Sequence, residues 1–181
     1  QAWLNRFPRK FRTPVRYARI AAAARRRLPE MKEGLLHLLD GSHAYLLDAA
    51  GPLSVPVVST VHDLIPALRL RGEWGMPPPG RVGSWLIRRT LSGLQRADAW
   101  VADSGSTRDD VVRLVGASAE QVHVVHPAVT PVELISVAVP DPAAVPVVLH
   151  VAGNNTFYKN RIGVVDIFKS LYQSEELLLK M

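Results

Sequence analysis

Two rhythms of apolar and polar residues run along the chain. Short apolar stretches at residues 35–39, 55–61, 99–102, 122–125 and 147–151 are rich in Val and stop at polar or breaking residues, which predicts buried β-strands. Between them, apolar positions recur at three- and four-residue spacing. Tyr17, Ala21, Ala24 and Leu28 mark a helix over 12–28, ended by Pro29, and residues 43–47 predict a short second one. Ile87, Leu91 and Leu94 mark a helix over 81–95. Val111, Val112 and Val115 mark the next, with Ser106 as its cap, Asp109 at capping-box spacing and Gly116 as its stop. A last helix starts near Asn160, with Ile162, Val165, Phe168 and Tyr172 as its stripe. Residues 69–80 hold Gly72, Gly75 and three consecutive prolines and predict a long loop, of a length more often functional or mobile than merely connecting.

Strand and helix alternate through most of the chain, which predicts an α/β fold with a Rossmann-like parallel sheet and helices on both faces. Near residue 128 the composition shifts to Pro, Ala, Val and Asp. Residues 1–128 therefore read as one domain, 129–146 as a linker, and 147–181 as the first strand and helix of a second domain.

Three predicted strand ends carry polar or turn residues: Val61-His62-Asp63, Ala102-Asp103-Ser104 and Val151-Ala152-Gly153. In an open parallel sheet such ends share the edge where ligands bind. His62 and Asp63 read there either as a site or as a rim residue beside a turn-capping carboxylate. The third end continues as Gly153-Asn154-Asn155, then Lys159, Asn160 and Arg161. Asn160 can cap the following helix. Two cations at a helix start, where the dipole disfavours them, suit an anion such as a phosphate or pyrophosphate held by Gly153, Asn154, Lys159, Asn160 and Arg161. The alternative is that both side chains extend into water.

Charge and composition narrow the classes. There is no cysteine, so no disulfide framework and no thiolate metal site. His123 and His126 fall on opposite faces of the predicted strand and cannot share a metal, and no Asp-x-Asp triplet, Walker A loop, dinucleotide fingerprint or nucleophile elbow occurs. Trp74, Trp85 and Trp100 read as packing or rim residues. The long apolar region 132–151 is interrupted by Glu133, Pro140, Asp141, Pro142 and Pro146, which rules it out as a spanning helix. The chain opens on Gln1 without an apolar leader, which suggests a fragment or a processed chain. The net charge is +6, and residues 1–29 carry nine Arg or Lys and no acid. That segment is either a solvated helix face or a contact for an anionic membrane surface.

Four stretches occur in a known order: VVSTVHDLIP, ADAWVADSGSTRDDVVRLVG, VHVVHPAV and VVLHVAGNNTFYKNRIGVVDIF. From about Leu35 onward the chain resembles family 4 glycosyltransferases, retaining enzymes of GT-B architecture with two facing Rossmann-like domains. The resemblance implies transfer of a sugar from a nucleotide-sugar donor to an acceptor, with retention, no metal and no cofactor. His62 matches the family's histidine near the reacting sugar, with Asp63 following it. Lys159 matches the phosphate-binding lysine. Tyr158 and Asn155 stand near where many members carry an arginine, a contact that Arg161 would replace. Ser104 and Ser106 match a serine-rich strand end lining the cleft. The family's glycine-rich loop would precede Gln1 and its paired glutamates would follow Met181, so the chain resembles a truncated middle of the enzyme. The implied partners are a nucleotide-sugar donor and a glycan or lipid-linked acceptor. The implied place is the cytoplasm, with peripheral contact to the inner membrane face through the basic segment and no part for nucleic acid. Two rivals stand beside this reading: an inactive fragment of such an enzyme, or a basic module that binds anionic membrane or nucleic acid.

Overall fold

The computed structural model describes residues 9–129 and 157–171. The chain divides into two compact units, Gln1–Thr130 and Pro131–Met181. The first is an α/β unit around a four-stranded sheet. Its strands are β1 (Leu36–Leu38), β2 (Val57–Val61), β3 (Ala99–Ala102) and β4 (Val122–Val124). They run parallel in the order β1-β2-β3-β4, with Leu38 opposite Ser59, Val61 opposite Ala102, and Trp100 opposite Val122.

Helices α1 (Arg9–Arg27), α2 (Tyr45–Ala50), α3 (Ile65–Leu70), α4 (Arg81–Leu94) and α5 (Gly105–Asp110) fall between or before the strands, and α5 continues into π-helical turns at Val111–Val115. Because successive strands are added in one direction, right-handed crossovers bring α2, α4 and α5 to one face. Burial follows. Val57, Ser59, Val61, Trp100, Ala102 and Val122 are buried toward the helices, whereas Val58, Thr60, Ala99 and Val101 are half-buried and His37 and His123 exposed. The expectation of helices on both faces is thus corrected for the described residues: the core is one layer of helices on one face. Ala44 at the start of α2, Leu47 of α2, Leu94 of α4, and Val111 and Val115 form that layer.

Two contacts fix the helical layer. Gly93 of α4 lies against the carbonyl of Ala44; a Cβ there would stand 1.7 Å from the carbonyl oxygen, so only glycine admits this approach. Tyr17 of α1 sets its ring edge against Tyr45 of α2, with centroids 5.1 Å apart. Along α1 the predicted stripe of Tyr17, Ala21, Ala24 and Leu28 is half-buried, and Arg16, Arg19 and Arg26 face solvent. No helix among the described residues is long and apolar enough to cross a membrane.

Three further expectations change. Pro66 does more than end β2: it lies in the first turn of α3, where its missing N–H has no partner to lose. The predicted loop at 69–80 accordingly starts inside α3 and contains a 3₁₀ turn at Glu73–Gly75. It is also tied down. Arg71 Nε donates to Glu73 Oε1 at 2.9 Å, Arg113 Nη1 reaches the same oxygen at 2.9 Å, and Met76 is buried. Finally, the cap of α5 is Ser104, not Ser106. Ser104 has the extended backbone a cap needs, and its Oγ accepts the Thr107 amide at 3.1 Å; Ser106 is exposed inside the first turn.

In the second unit, a 3₁₀ turn at Phe157–Lys159 leads into helix α6 (Arg161–Leu171). Of its predicted stripe, Phe168 is buried, Ile162 and Val165 are exposed, and Tyr172 is outside the described residues. The predicted strand at 147–151 and most of the predicted linker at 129–146 also lie outside them.

Candidate active site at the carboxyl edge of the sheet

Parallel strands place all their carboxyl ends on one edge, so β1, β2 and β3 deliver Leu39-Asp40, His62-Asp63 and Asp103-Ser104 to neighbouring positions. The His62 side chain is 56% exposed and held from two sides. Nδ1 lies 3.5 Å from Asp103 Oδ2, and Nε2 lies 3.3 Å from the carbonyl oxygen of Leu39. A neutral ring carries one N–H and serves one of these acceptors; the imidazolium serves both. His62 is thus oriented by β1 and β3 while sitting on β2, with an exposed edge for a ligand.

Thr107 locks this edge from beneath. Its buried hydroxyl lies 3.0 Å from the His62 carbonyl and 3.1 Å from Asp103 Oδ1, and it accepts from Ser104 Oγ at 3.0 Å. The single proton of Thr107 goes to one of its two acceptors at a time. Residue pattern alone gives no role to the Asp103 carboxylate or to Thr107, although Thr107 stands three residues after the cap, where a first-turn amide is due to be bonded.

Asp63 Oδ1 accepts the Ile65 amide at 3.0 Å, so this carboxylate caps the entry to α3, as the turn-capping alternative has it. Asp40 does the same for the 3₁₀ turn at Gly41–His43: its Oδ1 accepts the Ser42 amide at 2.8 Å. Partial burial raises the Asp40 pKa, but the Ser42 amide and hydroxyl and the nearby His43 and His62 outweigh it and hold the group below its ordinary value. It is a carboxylate at neutral pH.

These residues line a cavity of about 350 Å³. Asp40, Ser42, His62 and Asp63 form its polar side, and Leu64, Leu86, Ile87 and Leu91 its apolar wall, with Tyr17 and Thr90 also in the lining. Ser104 and Ser106 do not line it: Ser104 is committed to its cap, and Ser106 is exposed on α5. His126 lies past the end of β4 rather than within the strand, and its Nδ1 is 3.0 Å from the Asp103 carbonyl. Among the described residues no group of three or more His, Cys, Asp or Glu could hold a metal.

The second unit carries the other predicted set. Gly153 and Asn154 lie outside the described residues. Lys159 is exposed, and its Nζ sits 5.4 Å from the Tyr158 ring centroid. Asn160 precedes α6 with φ 47°, a left-handed backbone rather than the extended one of an ordinary cap. Its carbonyl accepts the Val164 amide at 3.2 Å. Its side-chain amide lies over Gly163, where a Cβ would come within 2.4 Å of Nδ2. Arg161 is the first residue of α6 and is exposed.

Comparison with known proteins bears on what this edge does. The family model described as Glycosyltransferase Family 4 matches residues 2–133, more than half of the chain. A relative named D-inositol 3-phosphate glycosyltransferase 1, from Catenulispora acidiphila, is 32% identical over 95 residues, which is 49% of this chain and 22% of the relative. The chain thus spans about a fifth of that relative's length. No solved structure matches. With a Rossmann-like parallel sheet, a histidine at the end of its second strand, and a family match across nearly the whole first unit, the chain belongs to glycosyltransferase family 4.

Proposed function

We propose that this chain is the acceptor-side domain, and the start of the donor-side domain, of an enzyme that moves a sugar from a nucleotide-sugar donor to an acceptor with retained anomeric configuration. The observation that carries the reading is His62, oriented between Asp103 and the Leu39 carbonyl and opening onto a 350 Å³ cavity at the carboxyl edge of the sheet. The cavity is of ligand size. There His62 orients the acceptor hydroxyl. The acceptor oxygen bonds the anomeric carbon as the bond from that carbon to the diphosphate oxygen breaks; negative charge develops on the departing diphosphate, which takes up the acceptor proton. Lys159, Arg161 and the amino end of α6 meet that charge. Gly153 and Asn154 are proposed to complete the phosphate contact.

The proposed diphosphate is neutralised by these cations without a metal. The proposed acceptor is a glycan or a lipid-linked molecule; the Catenulispora relative is named for an inositol phosphate, which extends the candidate acceptors to phosphorylated polyols. The proposed place is the cytoplasmic side of the membrane, with the basic, solvent-facing arginines of α1 as a peripheral contact.

The test is donor binding followed by transfer. Calorimetry with nucleotide-sugar donors should show binding that Lys159→Ala weakens at least tenfold. Full affinity and turnover in that variant would remove the phosphate role, and no binding by the parent chain would favour an inactive fragment.

A further inference from the structure

The wall of the edge cavity discriminates among the acceptors named above. Its polar side holds two carboxylates, Asp40 and Asp63, beside His62 and the Ser42 hydroxyl. Each carboxylate spends one oxygen on a backbone amide, Asp40 on Ser42 and Asp63 on Ile65; the second oxygen of Asp40 lies 3.8 Å from His43 Nδ1, outside hydrogen-bond reach, so that both second oxygens are acceptors for a ligand. Its other side is hydrocarbon from Leu64, Leu86, Ile87 and Leu91. Among the described residues, no Lys or Arg lines it. On α4, Arg89 is turned away and bonded to Asp48, while Leu86, Ile87, Thr90 and Leu91 meet the cavity.

We propose that this cavity receives an uncharged polyhydroxyl group carrying an apolar substituent, as in an alkyl or aryl glycoside, and excludes a phosphorylated polyol. Vicinal hydroxyls donate to the free carboxylate oxygens, a recognition that is strong because the acceptors are charged. The substituent lies on the leucine and isoleucine wall. A phosphate brought beside two carboxylates in this pocket meets like charge, with no Lys or Arg in the lining to offset it. That Asp40 stays ionised at neutral pH supports the same discrimination. The proposal rests on the glycosyltransferase reading only for naming the cavity an acceptor site; the ligand chemistry follows from the wall.

The experiment titrates the chain with 4-nitrophenyl glucoside, glucose and inositol 3-phosphate, following the His62 ring by NMR and affinity by calorimetry. The aryl glucoside should move the His62 signals. Glucose should bind about tenfold more weakly, having lost the apolar contact, and inositol phosphate about a hundredfold more weakly. Asp40→Asn keeps an oxygen for the Ser42 amide while removing the charge. It should weaken the aryl glucoside about tenfold and narrow the gap to inositol phosphate. Thr90→Lys, which disturbs no cap, should raise inositol phosphate affinity at the same His62 signals. Equal or tighter binding of inositol phosphate by the parent chain overturns the proposal, as does an unmoved His62 ring in millimolar aryl glucoside. A nucleotide-sugar titration in the same samples separates the two readings. Donor binding with the wrong acceptor preference defeats only this inference, whereas aryl glucoside binding without any donor binding defeats the transferase reading and leaves the cavity chemistry intact.

Discussion

Two cavities of the first unit differ in kind, and the larger is the less chemical. It measures about 580 Å³ and lies among α1, α2 and α4, lined by Ala21, Ala22, Ala49, Ala50 and Gly51 together with Arg25, Asp48, Trp85 and Arg89. Its volume comes from small side chains: five alanines and glycines stand where larger residues would fill the gap. Asp48 and Arg89 satisfy each other, whereas the buried hydroxyl of Tyr45, which also lines this cavity, has no hydrogen-bond partner among the described residues. Asp48 accepts from Arg89 and, at 2.7 Å, from Ser92 Oγ, and Arg89 also lies 5.5 Å from the centroid of Trp85. The smaller cavity sits where strands end, and there Asp40 and Asp63 each have a carboxylate oxygen beyond the one bonded to a backbone amide, beside the exposed edge of the His62 ring. Volume follows side-chain size, whereas usable chemistry follows the strand ends, because only there do neighbouring strands present side chains and free backbone together.

Exchanging residues between the two regions should separate their roles. On the proposed transferase reading, His62→Ala is expected to lower sugar transfer by about a hundredfold, the range for losing a group that positions the acceptor, with little change in thermal midpoint because the side chain is mostly exposed. Arg89→Ala should do the opposite: turnover within about twofold, with a lower midpoint from the unpaired Asp48. A His62→Ala variant that keeps its rate, beside an Arg89→Ala variant that loses it, would invert the assignment of the two cavities.

Gly93→Ala should damage both, since α4 walls both cavities and its approach to the Ala44 carbonyl leaves no room for a methyl group. Backbone against backbone cannot yield as a flexible side chain can, so the loss should reach about 3 kcal/mol, read from denaturant midpoints. A loss under about 1 kcal/mol would mean that α2 and α4 can separate, and that the position of Asp40 and Ser42 does not depend on this contact.

Sequence periodicity made most of this legible, for a physical reason. Burial on one side imposes a period that Leu91, Leu94, Val111 and Val115 display, and strands packed on a helical layer select Val. The two strand ends bearing His62 and Asp103 were legible because an apolar run that turns abruptly polar marks where a strand leaves the core. What escaped was of two kinds. Helix α3 is one short segment with a proline in its first turn, so its local signal read as a strand stop. Thr107 acts through a contact that sequence distance hides: it bonds the His62 carbonyl 45 residues away. The one-sided helical layer was also hidden, because strand order, not helix spacing, decides it.

Asp48 tests how self-contained the larger cavity is. Burial raises its pKa, but the Ser92 hydroxyl and Arg89 prevail and hold it below the ordinary 3.8. A carboxyl lowered in the folded state adds stability that is complete above the unfolded value and is lost as pH falls through the folded one. Acid unfolding below about pH 4 should therefore be less steep in Asp48→Asn, and at pH 7 that variant should be about 1–2 kcal/mol less stable, with turnover unchanged. An unaltered acid limb would show that other carboxylates carry it.

The smallest effect distinguishes two serines two residues apart. Ser104 accepts the Thr107 amide and donates to the Thr107 hydroxyl, which in turn faces the His62 carbonyl and Asp103. Ser104→Ala removes the helix cap and should lower stability by about 1 kcal/mol. It should also loosen Thr107, so the His62 ring should broaden or shift in NMR, a signature that a remote stability loss would not give. Ser106→Ala touches no such contact and should stay within about 0.5 kcal/mol with an unmoved His62 signal. If Ser106→Ala were the costlier change, the cap would sit where sequence spacing alone puts it, and the link from α5 through Thr107 to His62 would have to be abandoned.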